Sequence, residues 1–282
     1  MKAGYWVAPE GEDAALAATR GMAEAFEGAK AVDSPPGGAA GATIGRSRPI
    51  AALLPKLIGA LARQKAAASN RMFDVTDFGA DDRALVDDVL GEGEVAGVAT
   101  LAGGLAAQIQ EAAMAGLWRV RFADASGARR GDYIEVGAIP EVVRAACAGA
   151  SSDLVVGEAP REAMNVMPVL AEIRDRMARR RPGDPAHVIA LSRLPMTPAD
   201  MDFLRATLGV GSVRLVWRGH GSCRVAATSA RNVWSVQFAD AMDKVTLDTL
   251  EIGDAPAVVQ AADEDFADSA ARLGEIEEAY FR

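Results

Sequence analysis

The chain has 282 residues and carries a net charge of −9, and half of its residues are hydrophobic. This composition predicts a folded protein of one large or two modest domains, and its acidic balance argues against nonspecific binding to nucleic acid or to an anionic membrane. Two cysteines and two histidines exclude a disulfide scaffold and a cysteine-only metal cluster.

Residues 1–70 are predicted to form an N-terminal segment. It contains a strand-like stretch at 4–8, a weak helix at 13–27, a flexible Gly- and Pro-containing linker at 31–45 and an alanine-rich helix at 50–68. We find no secretory signal, and no apolar run reaches the about 18–20 residues that a membrane span needs. These features predict a cytoplasmic protein with no membrane span.

An internal repeat dominates the rest of the chain. Residues 118–147 align without a gap with residues 234–263 at an offset of 116, and fourteen of the thirty positions are identical. The match continues upstream after a length change of two residues. We therefore predict a first repeat at 71–149, a linker helix within 150–185, and a second repeat at 186–282.

Each repeat is predicted to open with a short helix that ends at a glycine, Gly91 or Gly209. The second of these helices begins with a capping box that contains Thr197 and Asp200, with proline at the first helical position. Strands with a period of two follow at 118–123 and 234–239, and further strands are predicted near 133–136 and 245–252. A closing helix follows Pro140 in the first repeat. In the second repeat it follows Pro256, is longer, and has one apolar face.

The predicted fold class is therefore α+β. It consists of two tandem homologous modules, each a helix, an antiparallel sheet and a helix, with a pseudo-twofold internal repeat and an additional N-terminal segment. The polar residues that alternate along the strands favour an antiparallel sheet with one open or lightly covered face.

Residues able to carry chemistry are few. His220 and Cys223 could act as a base and a nucleophile, or bind a metal transiently, but a glycine-rich turn with a small buried thiol is the simpler interpretation. Three acidic positions recur in both repeats and could serve acid–base catalysis or form turns; they are Asp124/Asp240, Asp132/Asp248 and Glu135/Glu251. We predict no catalytic residues, no metal site and no cofactor, and a duplicated scaffold of this kind favours a binding protein.

The second repeat resembles the C-terminal region of the HupH/HyaF/HoxQ hydrogenase expression proteins. The resemblance rests on residues 219–224, 231–238, 247–256, 261–265 and 268–273, and residues 1–11 and 131–140 resemble the same family. His220 departs from it, where an aromatic residue is usual, as does Ala239, where a polar residue is common.

The resemblance implies a non-enzymatic role in maturation of the [NiFe] uptake hydrogenase. It implies a cytoplasmic chaperone that binds the immature iron–sulfur small subunit, or its twin-arginine signal peptide, before export, together with a thioredoxin-like maturation protein. Two alternatives stay open. One is a cofactor-handling protein that assists iron–sulfur cluster insertion through Cys223 and His220, and the other is a homodimeric scaffold that bridges maturation factors.

Candidate partner-binding residues lie in the second repeat and in its acidic closing helix, whose charge is complementary to a twin-arginine segment. They are Trp234, Gln237, Asp240, Glu251, Glu275, Glu277 and Glu278.

Overall fold

The structure is a computed structural model that describes residues 47–281, without the side chain of Phe281. The strand, helix and linker predicted within residues 1–46 lie outside the described residues. The helices are α1 (Arg48–Leu61), α2 (Ala80–Leu90), α3 (Glu141–Ala148), α4 (Val166–Arg179), α5 (Pro198–Leu208) and α6 (Asp263–Phe281). The strands are β1 (Arg71–Asp74), β2 (Val95–Thr100), β3 (Ala106–Glu111), β4 (Leu117–Ala123), β5 (Arg129–Val136), β6 (His187–Ala190), β7 (Val213–Arg218), β8 (Ser222–Ala227), β9 (Val233–Ala239) and β10 (Val245–Ile252).

The chain divides into two compact units, and each contains five neighbouring strands that pair antiparallel, which we call the first and the second sheet. In the described residues, the first unit comprises 47–141 and 260–281, and the second unit comprises 142–259. Strand order is β1-β5-β4-β3-β2 in the first unit and β7-β8-β9-β10-β6 in the second. The predicted α+β class with two tandem modules is confirmed.

Each repeat is longer than the sequence alignment indicates. Helix α1 and strand β1 precede α2, and helix α4 and strand β6 precede α5 in the same order. Strand β1 pairs with β5 so that Arg71 lies opposite Val136, and β6 pairs with β10 so that His187 lies opposite Ile252. Both residues of the second pair are 116 positions after those of the first. The helix that we predicted as a linker within 150–185 is therefore the first helix of the second repeat.

The closing helix of the second repeat belongs to the first unit, whereas the sequence placed it with residues 186–282. Phe266, Ala270 and Leu273 of α6 lie in one core with Leu117 and Val136 of the first sheet. Helix α6 also packs against α1. Helix α4, the counterpart of α1, lies in the core of the second unit, where Leu170 and Ile173 lie with Leu250 and Ile252.

Helices α4 and α5 of the second unit both begin at one carboxylate, that of Asp200. The predicted capping box is present, since the Asp200 N–H donates to Thr197 Oγ1 (3.1 Å) and the Thr197 N–H donates to Asp200 Oδ2 (2.8 Å). The same side chain caps α4, whose Asn165 and Val166 N–H groups donate to Asp200 Oδ1 at 2.8 and 3.0 Å. In the first unit, Asp82 accepts a hydrogen bond from the hydroxyl of Ser47, the N-cap residue of α1, at 2.7 Å.

The prediction of an open or lightly covered sheet face is wrong for the central strands. Arg119 in β4 and Ser235 and Gln237 in β9 alternate with apolar residues, yet each is at most 5% exposed. Trp118 and Trp234 on the opposite faces of these strands are also buried. The period of two identifies the two faces correctly, but a face with polar residues can be covered when each polar group finds a partner.

Helices α2 and α5 end where predicted. Each is followed by a glycine with positive φ, 62° at Gly91 and 63° at Gly209. Within residues 47–281, no helix combines the length and the hydropathy required to cross a membrane.

Candidate partner-binding site

The two residues of the predicted thiol site lie in different surroundings. Cys223 is in β8 with a fully buried side chain, whereas His220 is exposed in the turn between β7 and β8. Burial raises the pKa of the Cys223 thiol to about 12, and the charge of Glu251 adds to this effect. A nucleophilic or metal-binding cysteine needs a thiolate. These observations favour a structural role for Cys223.

The pKa of the second thiol, that of Cys147, also favours a structural role. Burial raises the pKa of Cys147, in α3, to about 11. Within the described part of the chain, no group of three or more His, Cys, Asp or Glu residues is placed to hold a metal ion.

The acidic candidates on α6 lie toward its C-terminal end. Glu275 and Glu278 are exposed, and Glu277 is half-buried. Two acidic residues in the first turn of α6 instead accept hydrogen bonds from backbone N–H groups. The Ala66 N–H donates to Asp263 at 2.7 Å, and the Ala262 N–H donates to Asp265 at 2.6 Å.

The remaining candidates lie on β9, on β10 and in the turn between them. Asp240 shapes that turn, because its Oδ1 accepts from the N–H groups of Met242 (2.9 Å) and Lys244 (3.1 Å). Gln237 is buried and donates to Asp248 Oδ2 at 3.1 Å. The structure therefore gives Asp240 and Gln237 structural partners within the second unit.

Trp234 and Glu251 are directly opposite each other in the β9–β10 register and share one face of the sheet. Trp234 is 3% exposed, and its indole nitrogen has no hydrogen-bond partner in the described structure. Glu251 is half-buried, and burial raises the pKa of its carboxyl group. Of the sequence candidates, these two are direct neighbours in the strand pairing.

A buried polar layer beneath the helices was missed at the sequence level. In the first unit, Arg119 donates from Nε and Nη2 to the two oxygens of Asp132, at 3.0 and 2.8 Å, and also pairs with Asp87 of α2. In the second unit, Asp248 occupies the Asp132 position and Gln237 contacts it. The positive charge that acts on Asp248 there comes from Arg205, on the helix and not on the sheet.

A signal for this layer is present in the sequence. Asp132 and Asp248 recur at the 116-residue offset, and Asp87 is exchanged for Arg205 at the 118-residue offset of the preceding helices. Over the same offsets Arg119 becomes Ser235 and Arg121 becomes Gln237, so the positive charge moves from the sheet to the helix, which indicates that these positions face one another.

Glu111, at the end of β3, is another buried acid in the first unit, with 7% of its surface exposed. Burial raises its pKa from an ordinary value of 4.5 to about 7, although the Gly116 and Val95 N–H groups donate to it. The Val95 bond measures 3.3 Å. Folding therefore favours the protonated form of this side chain.

We expect the Glu111→Gln variant to lose a specific part of the pH dependence of stability. Because the pKa is raised in the folded protein, the contribution of Glu111 is fully present below pH 4.5 and is lost as the pH rises through about 7. Over that window the wild type should lose up to about 1.4 kcal/mol of unfolding free energy per pH unit relative to the variant. Urea unfolding at pH 5 and pH 8 measures this, with the exposed Glu92→Gln as control. Parallel pH profiles for wild type and Glu111→Gln would contradict the expectation.

Comparison with known proteins identifies the family to which the chain belongs. A sequence model described as "HupH hydrogenase expression protein, C-terminal conserved region" matches residues 50–152 and 163–280. The two matched stretches begin within α1 and just before α4, and so follow the two structural repeats. The chain belongs to the HupH family.

Relatives within the HupH family match much or all of the chain. The hydrogenase expression/formation protein HupH of Rhizobium leguminosarum bv. viciae is 57% identical over 282 residues, with 100% of both chains covered. HoxQ of Cupriavidus necator, also named a hydrogenase expression/formation protein, is 42% identical and covers 79% of each chain. The hydrogenase-1 operon protein HyaF of Escherichia coli is 34% identical and covers 72% of this chain and 71% of its own.

A solved structure, the hydrogenase expression protein HupH from Thiobacillus denitrificans, is 30% identical over 40% of this chain and 94% of its own, with a TM-score of 0.38. The names within the HupH family describe expression and formation of hydrogenase, not a catalysed reaction. Membership therefore supports a role in hydrogenase maturation.

Proposed function

We propose that the chain is a non-catalytic chaperone of hydrogenase maturation, which binds the immature iron–sulfur small subunit in the cytoplasm before export. The observation that carries this proposal is the match to a hydrogenase expression/formation protein at 57% identity over the whole chain. The two thiols, with pKa values of about 11 and 12, support a binding role over a thiol-based cofactor role. A thioredoxin-like maturation protein is the proposed second partner.

The acidic end of α6 is the proposed contact for a basic segment of the precursor, such as a twin-arginine signal peptide. Glu275, Glu277 and Glu278 lie toward the C-terminal end of the helix, where the helix dipole disfavours negative charge. Three acidic side chains within four residues form a negatively charged surface, which supports recognition of a cationic partner.

A pull-down tests the function. The tagged full chain serves as bait, and the small-subunit precursor, with and without its signal peptide, serves as prey; metal analysis of the eluate follows. Capture of the precursor by metal-free bait supports the chaperone, and loss of capture without the signal peptide identifies that peptide as the recognised part. Absence of capture, or stoichiometric iron on the bait alone, would contradict the proposal.

Charge reversal tests the acidic surface. We expect the triple variant Glu275→Lys/Glu277→Lys/Glu278→Lys to bind the precursor at least about tenfold more weakly at low salt, because three attractive charges become repulsive. The affinity difference should shrink as ionic strength rises. Biolayer interferometry at two salt concentrations measures both effects.

The matched control reverses three exposed acids elsewhere, Asp88→Lys/Glu92→Lys/Glu158→Lys, and changes the net charge by the same amount. Equal weakening by both triple variants would show that only overall charge matters. Unchanged binding by the α6 variant would remove α6 from the interface.

A further inference from the structure

Strand β6 is an edge strand that lacks the charges by which edge strands avoid further pairing. Within the described residues it pairs with β10 on one side and with no strand on the other. Native edge strands often carry charged residues, which oppose the addition of another strand. The equivalent strand β1 begins with Arg71 and ends with Asp74. Strand β6 contains no Lys, Arg, Asp or Glu, since its sequence is His187-Val188-Ile189-Ala190.

Both edge strands expose an apolar side chain at the same repeat position. Met72 in β1 is 56% exposed, and Val188 in β6 is 53% exposed. An added strand would extend the sheet by main-chain hydrogen bonds and would give such a side chain an apolar contact. Because only β1 carries the opposing charges, β6 is the edge better suited to accept a further strand.

A basic surface lies beside the first residue of β6. Arg180 donates to Asp254, which follows Ile252, the last residue of β10, by two positions. Ile252 pairs with His187, so Arg180 lies at the end of the sheet where β6 begins. Four further arginines at the end of α4 and directly after it are exposed. We call the five residues the arginine cluster: Arg174, Arg176, Arg179, Arg180 and Arg181.

One segment of the chain matches both the edge and the basic surface. The strand-like stretch at 4–8 has the sequence Gly-Tyr-Trp-Val-Ala, and Pro9 follows it. Proline lacks the N–H group that a paired strand donates, so pairing ends there. Three acids come next, Glu10, Glu12 and Asp13. In an antiparallel pair one strand ends where the other begins, so a partner of β6 that ends at residue 8 would place these acids beside the arginine cluster.

We propose that residues 4–8 pair with β6 as an antiparallel strand and that Glu10, Glu12 and Asp13 contact the arginine cluster. The apolar stretch covers the exposed Val188, and the opposite charges fix the direction of the added strand. Residues 9–46 connect this strand to Ser47 and can span up to about 125 Å, so the connection is long enough to reach β6. The inference does not rest on the proposed function.

Hydrogen exchange of the full chain tests the added strand. Alternate N–H groups of an edge strand point away from the sheet and exchange rapidly unless another strand accepts them. In the variant Trp6→Pro/Val7→Pro, one of the two lost N–H groups must face β6. We expect the amides of residues 187–190 to exchange at least about tenfold faster in this variant than in the wild type.

The matched control is Ala39→Pro/Ala40→Pro in the predicted linker, and its residues 187–190 should exchange as in the wild type. Equal exchange of these residues in the wild type and in Trp6→Pro/Val7→Pro would overturn the inference. Measurement at two protein concentrations separates the chain's own segment from a second copy. Protection that does not change with concentration supports the inference, and protection that rises with concentration would overturn it in favour of pairing between copies.

Charge reversal tests the contact with the arginine cluster. At low ionic strength, Glu10→Arg/Glu12→Arg and Arg179→Glu/Arg181→Glu should each speed exchange of residues 187–190 about threefold. The quadruple variant should recover most of the protection, because the reversed charges attract again. Recovery distinguishes this contact from a loss of helix stability, which the second pair of changes could not repair.

The control for charge reversal is Arg161→Glu/Arg193→Glu. Both arginines are exposed, one before α4 and the other after β6, and so lie toward the opposite end of the helix and the strand. This variant should exchange at residues 187–190 as the wild type does. Equal acceleration by the two arginine variants, or absence of recovery in the quadruple variant, would overturn the inference.

Discussion

Replacing Arg119 by methionine is expected to lower the free energy of unfolding by about 3–5 kcal/mol, because the change leaves a buried carboxylate without its countercharge. Arg119 is 4% exposed and Asp132 is 1% exposed, and two charge-assisted hydrogen bonds join them. The Arg119 guanidinium also donates to the Arg83 carbonyl at 3.1 Å and so joins β4 to α2. Urea unfolding at pH 7 measures the loss.

Two variants show that pairing, and not side-chain volume, is responsible. The double variant Arg119→Leu/Asp132→Leu removes both charges and should recover most of the lost stability. Arg130→Ala breaks the exposed ion pair with Asp124 and should cost less than about 1 kcal/mol. A loss below about 1 kcal/mol for Arg119→Met would show that water reaches Asp132.

Replacing Asp200 by alanine is expected to cost about 3 kcal/mol, because one side chain caps two helices. Three backbone N–H groups, those of Asn165, Val166 and Thr197, lose their acceptor. Asp200→Asn keeps one side-chain oxygen and should lose about half as much. Asp202→Ala, at an exposed site of the same helix, is the control and should change stability by at most about 0.5 kcal/mol.

The contribution of Asp200 to stability changes with pH in the opposite direction to that of Glu111. Burial alone would raise the pKa of Asp200, but hydrogen bonds from Thr197, Asn165 and Val166 outweigh it and lower the pKa. Its contribution is therefore present above the ordinary carboxyl pKa of about 4 and is lost as the pH falls below that value. The wild type should lose more stability between pH 5 and pH 3 than Asp200→Asn does. A larger loss in the variant would contradict this assignment.

Patterns among residues close in sequence were sufficient to predict much of the fold. The α+β class, the antiparallel strands, the glycine ends of α2 and α5 and the capping box at Thr197 all depend on residues close in sequence. The short strands β1 and β6 were missed because each has four residues without clear alternation, and the two share no residue type.

The position of α6 could not be predicted from its periodicity. The spacing of Phe266, Ala270 and Leu273 shows that one face of the helix is apolar, but either sheet could cover such a face. Burial of Arg119 was missed for a related reason. Alternation assigns a residue to a face of the sheet, and only tertiary packing decides what covers that face.

The partner-binding residues stay a prediction. Trp234 and Glu251 recur in both repeats as Trp118 and Glu135, and the structure places them directly opposite each other on β9 and β10. The Asn70 side-chain amide donates to Glu135 at 2.6 Å, and Ala186 replaces Asn70 in the second repeat, a difference outside the thirty aligned positions. No local pattern indicates that a residue so far along the chain supplies the partner of a strand carboxylate.

The placement of α6 also affects the order in which the protein folds during synthesis. The core of the second unit uses residues 154–252, whereas the core of the first unit includes Phe266, Ala270 and Leu273 near the C-terminus. Domains usually fold from the N-terminus onward as they leave the ribosome. We therefore expect the first unit, although its strands are translated first, to complete its core only after α6 has been synthesised.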